Sequence, residues 1–361
     1  MLQERLKALR AEMEKRGITV YVVPTADFHE SEYVGDHFKA RKFITGFTGS
    51  AGTAVITLDE AGLWTDGRYF VQAENQLKDS TVTLYRMGEE GVPTVDEFVK
   101  DRLKEGGCLG FDGRVVNGTW GGKLEKIAAE KNVSMHVTED LIDLIWEDRP
   151  ALSKQPLFIL EEKYSGKSTA DKIADLRKAM KENGADVHIL TSLYDIAWLL
   201  NIRGNDIDYV PVVLSYLVLN ETECIWFLQE EVVDDKIRAY LEENHITTKP
   251  YDAIYDYVPE IPADAVVLMN RGTVNYRIVN SLDKAIKVVD KPNPTELMKA
   301  VKNKTEVDNT RAAHVKDGVA FTKFMYWLKT NIGKIPMTEI SASDYLEARR
   351  REQDNFIRSE E

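Results

Sequence analysis

The chain has 361 residues, of which 43% are hydrophobic and 30% are charged, and its net charge is −13. This length exceeds that of one ordinary core, so two or three globular domains are expected. The acidic balance leaves no basic stripe that could offset phosphate charge, which argues against nucleic acid as a main partner.

The N-terminal segment and the cysteines indicate the compartment. Residues 1–7 have the pattern of an amphipathic helix and lack the apolar core of a signal peptide, and no later run approaches membrane length. Cys108 and Cys224 are far apart in apolar, strand-like runs, which predicts buried reduced thiols. These features predict a cytoplasmic protein without a membrane partner.

The chain nearly repeats itself. Leu9 and Gly17 recur as Leu176 and Gly184, with the same separation between the two copies. In both copies a helix with apolar residues at helical spacing ends at the glycine, and a short apolar strand, a polar turn, a helical stretch and paired strands follow. This shared order predicts a duplication.

The predicted fold is therefore α/β, with two tandem domains at residues 1–156 and 157–290. Prolines in residues 148–156 disfavour helix and mark the linker between them. Later strands alternate with helices in both halves, which predicts mixed sheets flanked by helices.

The third region, residues 291–361, has a different character. Thr295 or Thr305 is predicted to cap a helix, and a long helix with one apolar face follows. Gly333 and Pro336 end this helix, and Ser341 is predicted to cap the next one. The apolar faces predict that these helices begin a third domain whose sheet is not in the sequence.

The glycine-rich segment 46–52 precedes an apolar strand. A phosphate-binding loop needs a helix directly after the glycines, so that amide groups at its N-terminus meet the anion. The segment is therefore predicted to be a tight turn with close backbone approach.

Arg68 follows the predicted second strand of this hairpin. Its fork of donors suits carboxylates and carbonyls, so a substrate clamp is one interpretation. A surface turn with a salt bridge is the other, and the residues alone leave both open.

Two further polar segments are candidate cleft or interface elements. His29 lies among Glu30 and Glu32, but the spacing fits no common metal site, so a solvated loop is expected. Arg203 opens a polar turn that is the second domain's counterpart and that faces a cleft or a contact between domains. No nucleophile elbow, catalytic cysteine or metal-ligand motif occurs, so the residues predict binding surfaces and no reaction centre.

Several segments resemble one family, the cytosolic three-domain Xaa-Pro aminopeptidases (aminopeptidase P). The segments are residues 27–33, 46–54, 64–70, 145–150, 195–204 and 339–342. They occur in the family's order along essentially the whole chain. The resemblance implies two creatinase-type N-terminal domains, followed by the first helices of a catalytic domain of the pita-bread type.

The resemblance also implies an activity that this chain does not carry alone. The family removes an N-terminal residue that precedes proline, using two divalent metal ions, usually manganese, and its members form homodimers. All metal ligands would lie beyond Glu361, so the chain itself is expected to hold no cofactor and to be an inactive, truncated N-terminal region. Arg68 matches the family's arginine that reaches the peptide substrate from the first domain.

Two alternatives remain open. One is a stand-alone binding or scaffold protein of duplicated domains, which the uncovered faces of the last helices disfavour. The other is the N-terminal part of a related dipeptidase or creatinase-like enzyme, which the three-domain layout disfavours.

Overall fold

Two six-stranded mixed sheets, one after the other along the chain, dominate the architecture. The computed structural model describes residues 2–357. Met1 and residues 358–361, at the outer ends of the predicted first and third regions, lie outside the described residues. The predicted fold class, two duplicated α/β domains with a helical tail, is confirmed.

The first unit supplies one sheet and the helices on its two faces. Its strands are β1 (Val20–Pro24), β2 (Thr53–Thr57), β3 (Ala61–Thr65), β4 (Val82–Arg86), β5 (Cys108–Phe111) and β6 (Ser134–His136). Its helices are α1 (Leu2–Lys15), α2 (Ala40–Thr45), α3 (Phe70–Leu77), α4 (Val95–Arg102) and α5 (Gly118–Glu130), with a 3₁₀ turn at Asp36–Phe38 before α2.

The second unit repeats this plan and adds a short ribbon. Its strands are β7 (Phe158–Ile159), β8 (Val187–Leu190), β9 (Ile202–Arg203), β10 (Ser215–Leu219), β11 (Cys224–Leu228), β12 (Ile246–Pro250), β13 (Val266–Met269) and β14 (Lys287–Asp290). Its helices are α6 (Glu162–Ser165), α7 (Thr169–Glu182), α8 (Leu193–Leu200), α9 (Asp235–Glu243), α10 (Ile254–Tyr257) and α11 (Tyr276–Ser281). Short 3₁₀ turns lie at Glu230–Val232, Tyr251–Ala253 and Val258–Glu260.

The two sheets have the same topology. Their strand orders are β4-β3-β2-β1-β5-β6 and β12-β11-β10-β8-β13-β14. In each sheet the first strand of the repeat pairs antiparallel with a hairpin on one side and parallel with a crossover strand on the other. Leu9 and Leu176 occupy equivalent, fully buried positions on α1 and α7. Shared topology and equivalent burial support the duplication.

The repeated helix, cap and strand follow from local chemistry. Leu6, Leu9 and Met13 form the buried stripe of α1. Gly17 then has a positive φ of 66°, a conformation that glycine adopts without steric cost. Every residue of β1 is buried, because this strand lies inside the sheet with helices on both faces.

The two units exchange aromatic side chains. Phe28, from the loop after β1, lies in the apolar cluster of the second unit, whereas Tyr276 of α11 lies in a cluster of the first unit. Full burial of such side chains contributes roughly 1.5–3 kcal/mol each. The contact between the units therefore has the character of a core.

The tail consists of α12 (Pro294–Ala300), α13 (Lys304–Asn331) and α14 (Glu339–Arg351). The predicted caps were wrong, because Asn293, Asn303 and Thr338 are the N-caps. The side chains of Asn303 and Thr338 each accept a hydrogen bond from a backbone amide of the first turn. At Asn293 the Glu296 side chain accepts a hydrogen bond from the backbone amide of the cap, at 3.2 Å. Thr295 and Ser341 lie inside the helices that follow, and Thr305 lies in the first turn of α13.

The tail helices bury little. Trp327 of α13 stacks on Tyr345 of α14 at a ring separation of 4.0 Å, but the fully buried residue of α13 is Ala320 and none of α14 is buried. Tyr326 and Ile340 are 74% and 75% exposed. None of the helices within residues 2–357 combines the length and apolarity needed to cross a bilayer.

Candidate functional site

Arg68 projects from the turn between β3 and α3. The two carboxylate oxygens of Asp66 accept hydrogen bonds from Nε and Nη2 of Arg68, at 2.9 and 2.8 Å. This hydrogen bonding raises the pKa of the Arg68 guanidinium. The side chain is 72% exposed and lies 5.3 Å from the centroid of the Tyr69 ring. Arg68 is thus a cation presented to solvent in a fixed fork.

The glycine-rich turn beside Arg68 is organised by Arg41 of α2. The guanidinium of Arg41 donates to Thr25 Oγ1 at 2.9 Å, to the Phe47 carbonyl at 2.6 Å and to the Gly49 carbonyl. A Cβ at Gly49 would come within 2.2 Å of the Phe47 ring, so only glycine fits there.

The charge of Arg41 is poorly compensated. The residue is 4% exposed, and burial lowers its pKa to about 10. Among residues 2–357 no carboxylate pairs with it, and its partners are neutral oxygens. Sequence reasoning missed Arg41, because its role depends on the path of a loop that spacing does not reveal.

The turn is joined to the Arg68 segment by one hydrogen bond. Ser50 Oγ lies 2.6 Å from the Tyr69 hydroxyl. A continuous polar row therefore runs from Arg68 through Tyr69 and Ser50 to the carbonyl of Gly49, which Arg41 holds.

A cleft of about 750 Å³ lies between the first unit, the linker and the second unit. Arg41, Lys42 and Ser50 line it on the side of the first unit, and Asp206 lines it on the side of the second. Pro150 of the linker closes one edge, because its carbonyl lies 2.8 Å from Nδ1 of His37. This volume falls in the range of small-ligand sites.

In the predicted polar turn at Arg203, the residues after Arg203 line the cleft, whereas Arg203 itself points into the protein. Asn205 and Asp206 line the cleft, and the Asp206 carboxylate accepts the backbone amides of Gln155 and Leu214, at 3.1 and 2.9 Å. Burial raises the pKa of Asp206. Asp206 thus ties the linker to the second unit.

The Arg203 side chain itself turns inward. It donates to the carbonyls of Ala197 and Ile202, and burial lowers its pKa. Lys172 is a second buried cation in this unit, donating to the Trp198 carbonyl and Asn201 Oδ1 at 2.8 and 2.7 Å. Burial lowers the pKa of Lys172 to about 8.

His29 lies in the contact between the units. Its ring nitrogens lie 3.1 Å from the Thr191 carbonyl and 2.6 Å from the Tyr251 hydroxyl, both in the second unit. The expected solvated loop is wrong here, since His29 is 2% exposed and Asp27 is 1% exposed. The loop docks into the second unit, which supplies the hydrogen bonds that water would otherwise make.

Two equivalent asparagines complete this contact. Asn117 and Asn275 cap α5 and α11, the matching helices of the two units, and form an antiparallel bridge with each other. Asn275 Nδ2 donates to the Phe28 carbonyl at 3.0 Å, and Asn117 Nδ2 donates to Glu30 at 2.9 Å. Both follow a strand and precede a helix, so the N-cap signal was available in the sequence.

Comparison with known proteins agrees with this architecture. Residues 5–145 and 148–306 each match the family described as Creatinase/Prolidase N-terminal domain. The chain is 38% identical to the probable Xaa-Pro aminopeptidase P of Sordaria macrospora, over 98% of this chain and 60% of that protein. It is also 38% identical to the corresponding protein of Neurospora crassa, covering 54% of it.

A solved structure matches as well. The X-prolyl aminopeptidase of Caenorhabditis elegans, described as a cytosolic enzyme with a di-nuclear active site, is 31% identical. It superposes with a TM-score of 0.92 over 99% of this chain and 61% of that chain.

These comparisons establish the family. The chain carries two Creatinase/Prolidase N-terminal domains in tandem. Over nearly its whole length it is similar to Xaa-Pro aminopeptidases P. It spans about 60% of the length of the Sordaria relative.

The di-nuclear centre of the C. elegans enzyme finds no counterpart in the described residues. Within residues 2–357, no three His, Cys, Asp or Glu side chains converge so that they could hold a metal ion. These residues therefore do not fit a pair of divalent ions, which hard oxygen ligands and histidine would have to bind.

Proposed function

We propose that this chain forms the non-catalytic N-terminal region of an Xaa-Pro aminopeptidase, which removes an N-terminal residue that precedes proline. The observation that carries the proposal is the superposition on the C. elegans enzyme over 99% of this chain but only 61% of that one. The matched part holds the two repeated domains, and the described residues contribute docking and access surfaces.

The proposed contribution to substrate binding is that of Arg68. An exposed guanidinium with a fixed orientation is suited to hold a peptide carbonyl or carboxylate from outside the catalytic domain. Asp66 orients the side chain without burying it, so its faces remain open to a ligand.

We further infer the setting of the complete enzyme. Two divalent metal ions, manganese by preference, would be held by the part of the enzyme that corresponds to the uncovered portion of the di-nuclear relative. The apolar side chains exposed on α13 and α14 suit a covering domain and a homodimer. The buried, unpaired thiols of Cys108 and Cys224 agree with a cytoplasmic enzyme.

The first experiment uses the 361-residue chain alone. We expect no release of the N-terminal residue from an Xaa-Pro tripeptide in the presence of manganese, and no tight manganese binding by calorimetry, because converging carboxylates are needed for both. Metal-dependent turnover by this chain would overturn the proposal.

The second experiment tests Arg68 in a chimera. This chain replaces the matching part of the Sordaria relative, and the chimera is assayed on an Xaa-Pro tripeptide. Arg68→Ala is expected to lower kcat/KM by about 10- to 150-fold, the effect of one lost charge-assisted hydrogen bond. Arg238→Ala, at an exposed arginine of α9, is the matched control and should leave kcat/KM unchanged.

Each outcome of the chimera experiment decides something. An active chimera supports the proposed function, whereas a folded but inactive one favours a stand-alone binding protein. If the chimera is active and its kcat/KM is unchanged by Arg68→Ala, Arg68 does not bind substrate and forms only a surface salt bridge, which contributes little energy.

A further inference from the structure

The cleft between the two units has a cationic wall. Arg41 is buried on this wall, and three of the five N–H donors of its guanidinium are used by Thr25, Phe47 and Gly49. Lys42 is exposed beside it and also lines the cleft. Among the described residues, neither Arg41 nor Lys42 forms an ion pair with a carboxylate, so the two cations are available to an anionic group.

The rim of the cleft is aromatic. Tyr33 and Tyr209 line it and are 36% and 39% exposed. Such rings offer a rigid apolar surface with a polar tip, which suits the side chains and rings of an extended peptide.

Tyr209 is held in an unusual conformation. Its φ is +66°, and the bridge between Ile207 and Val210 closes the turn around it. A non-glycine residue in this region costs on the order of 1 kcal/mol, and such strain is found preferentially at ligand sites. The strain presents the Tyr209 ring at the rim.

Four carboxylates also line the cleft, those of Glu32, Asp36, Asp206 and Asp208. Asp36 is ion-paired with Lys39. The Asp206 carboxylate already accepts the backbone amides of Gln155 and Leu214. It is therefore engaged in fixing the linker. Among the described residues, no ion pair joins Arg41 or Lys42 to a carboxylate across the cleft.

The cleft is continuous with Arg68. Ser50, which lines the cleft, is hydrogen-bonded to Tyr69, and the Tyr69 ring lies 5.3 Å from the guanidinium carbon of Arg68. One polar surface thus leads from the proposed substrate arginine into the cleft.

We propose that the cleft binds the C-terminal part of an oligopeptide, with its terminal carboxylate at Arg41 and Lys42 and its side chains against Tyr33 and Tyr209. This inference rests on the proposed function for the identity of the ligand as a substrate peptide. It assigns the chain a preference for oligopeptides with a free C-terminus over dipeptides and C-terminal amides.

The test measures binding directly on the 361-residue chain. The probes are the hexapeptide Ala-Pro-Ala-Ala-Ala-Phe, its C-terminal amide and the dipeptide Ala-Pro, titrated by calorimetry at low salt. We expect the free acid to bind about ten-fold or more tightly than the amide, because a charge-assisted hydrogen bond is lost in the amide. The dipeptide should bind more weakly than the hexapeptide.

Two variants locate the site without disturbing the turn that Arg41 holds. Lys42→Gln should weaken binding of the free acid about two- to five-fold and leave the amide unaffected. Tyr209→Gly, which tolerates the positive φ, should weaken both peptides by about two- to twelve-fold. Lys78→Gln, at an exposed lysine outside the cleft lining, is the matched control and should change neither.

The results separate this inference from the proposed function. Equal affinity for acid and amide, undetectable binding at millimolar peptide, or unchanged affinity in Lys42→Gln and Tyr209→Gly would overturn the cleft assignment. The proposed function is tested separately, by turnover of a tripeptide in the chimera and by the effect of Arg68→Ala on that turnover. A tripeptide is too short to need the cleft.

Discussion

At the scale of single residues, His29 is held neutral by its surroundings. Burial lowers its pKa from the usual 6.5 to about 4, against the smaller opposing effect of the nearby Asp27 carboxylate. Both ring nitrogens are engaged by the second unit, so a proton on His29 would have to be accommodated inside the contact. The contact between the units is therefore sensitive to acid.

The sign of this effect follows from linkage. Between pH 6.5 and 4 the unfolded chain binds a proton at His29 that the folded chain does not, so stability is fully present above about pH 6.5 and falls as the pH falls towards 4. At pH 5 the loss at this one site is about 2 kcal/mol relative to neutral pH. Urea unfolding at pH 7, 6 and 5 measures it.

His29→Gln isolates this contribution. The variant should be less stable than the wild type at pH 7, because the contact is disturbed, but its stability should fall less between pH 7 and 5. His314→Gln, at an exposed histidine of α13, should keep the wild-type dependence. Burial also lowers the pKa values of His37 and His188, but both residues are present in the wild type and in both variants, so their contribution to the pH dependence is the same in all three. Identical pH dependence in wild type and His29→Gln would refute the assignment.

At the scale of elements, α5 and α11 hold the two units together. Backbone amides cross the contact in both directions, from Gly118 to the Val274 carbonyl at 2.8 Å and from Tyr276 to the Val116 carbonyl at 2.7 Å. Gly121 lets the helices approach, since a Cβ there would come within 2.1 Å of the Tyr276 ring. Close approach, not flexibility, explains this glycine.

Adjacent glycines of α5 give a matched test. Gly121→Ala should destabilise the chain by about 1–3 kcal/mol, because the methyl group overpacks the contact with Tyr276. Gly122→Ala meets nothing within 4 Å and should be neutral or stabilising by up to about 1 kcal/mol, since alanine favours helix. Thermal unfolding of the two variants measures the difference. Equal effects would mean that α5 and α11 do not pack this closely.

At the scale of the whole molecule, duplication produced one docked pair of domains. Each unit contributes the loop after its first strand and the helix after its crossover strand to the contact, and Phe28 and Tyr276 each enter the neighbour's apolar cluster. The tail differs, because α13 and α14 pack on each other and leave large apolar side chains exposed.

The exposed tail surface should be dispensable for the fold of the described chain. Replacing Tyr326 and Ile340 by lysine should change the free energy of unfolding by no more than about 0.5 kcal/mol per site, as expected for exposed positions. Binding of the dye ANS should decrease, because exposed apolar surface is removed. Ala320→Lys, at the buried position of α13, is the contrast and should destabilise the helix pair. A large loss of stability in the double variant would mean that these side chains are buried in solution.

The features that depend on local spacing along the chain could be predicted. The apolar stripe of α1, its glycine cap, the buried strand that follows and their recurrence at Leu176 and Gly184 are set by residues within a few turns of each other, so the duplication and the fold class could be predicted. The segment 64–70 placed Arg68 after β3 in the same way. Neighbouring residues can compete for the N-cap position, and here Asn293 and Asn303 cap the tail helices instead of the neighbouring threonines.

The contact between the units and the cleft depend on how distant segments pack in three dimensions. His29 meets Thr191 across 162 residues, and nothing in the spacing of residues 27–33 distinguishes a docked loop from a solvated one. Arg41 became the buried cation of a cleft wall because the glycine turn folds back over it, and Asn117 met Asn275 because two domains docked through equivalent edges. Periodicity fixes which face of an element is buried, but the pairing of distant surfaces depends on shape and on hydrogen bonds that form only once the domains are assembled.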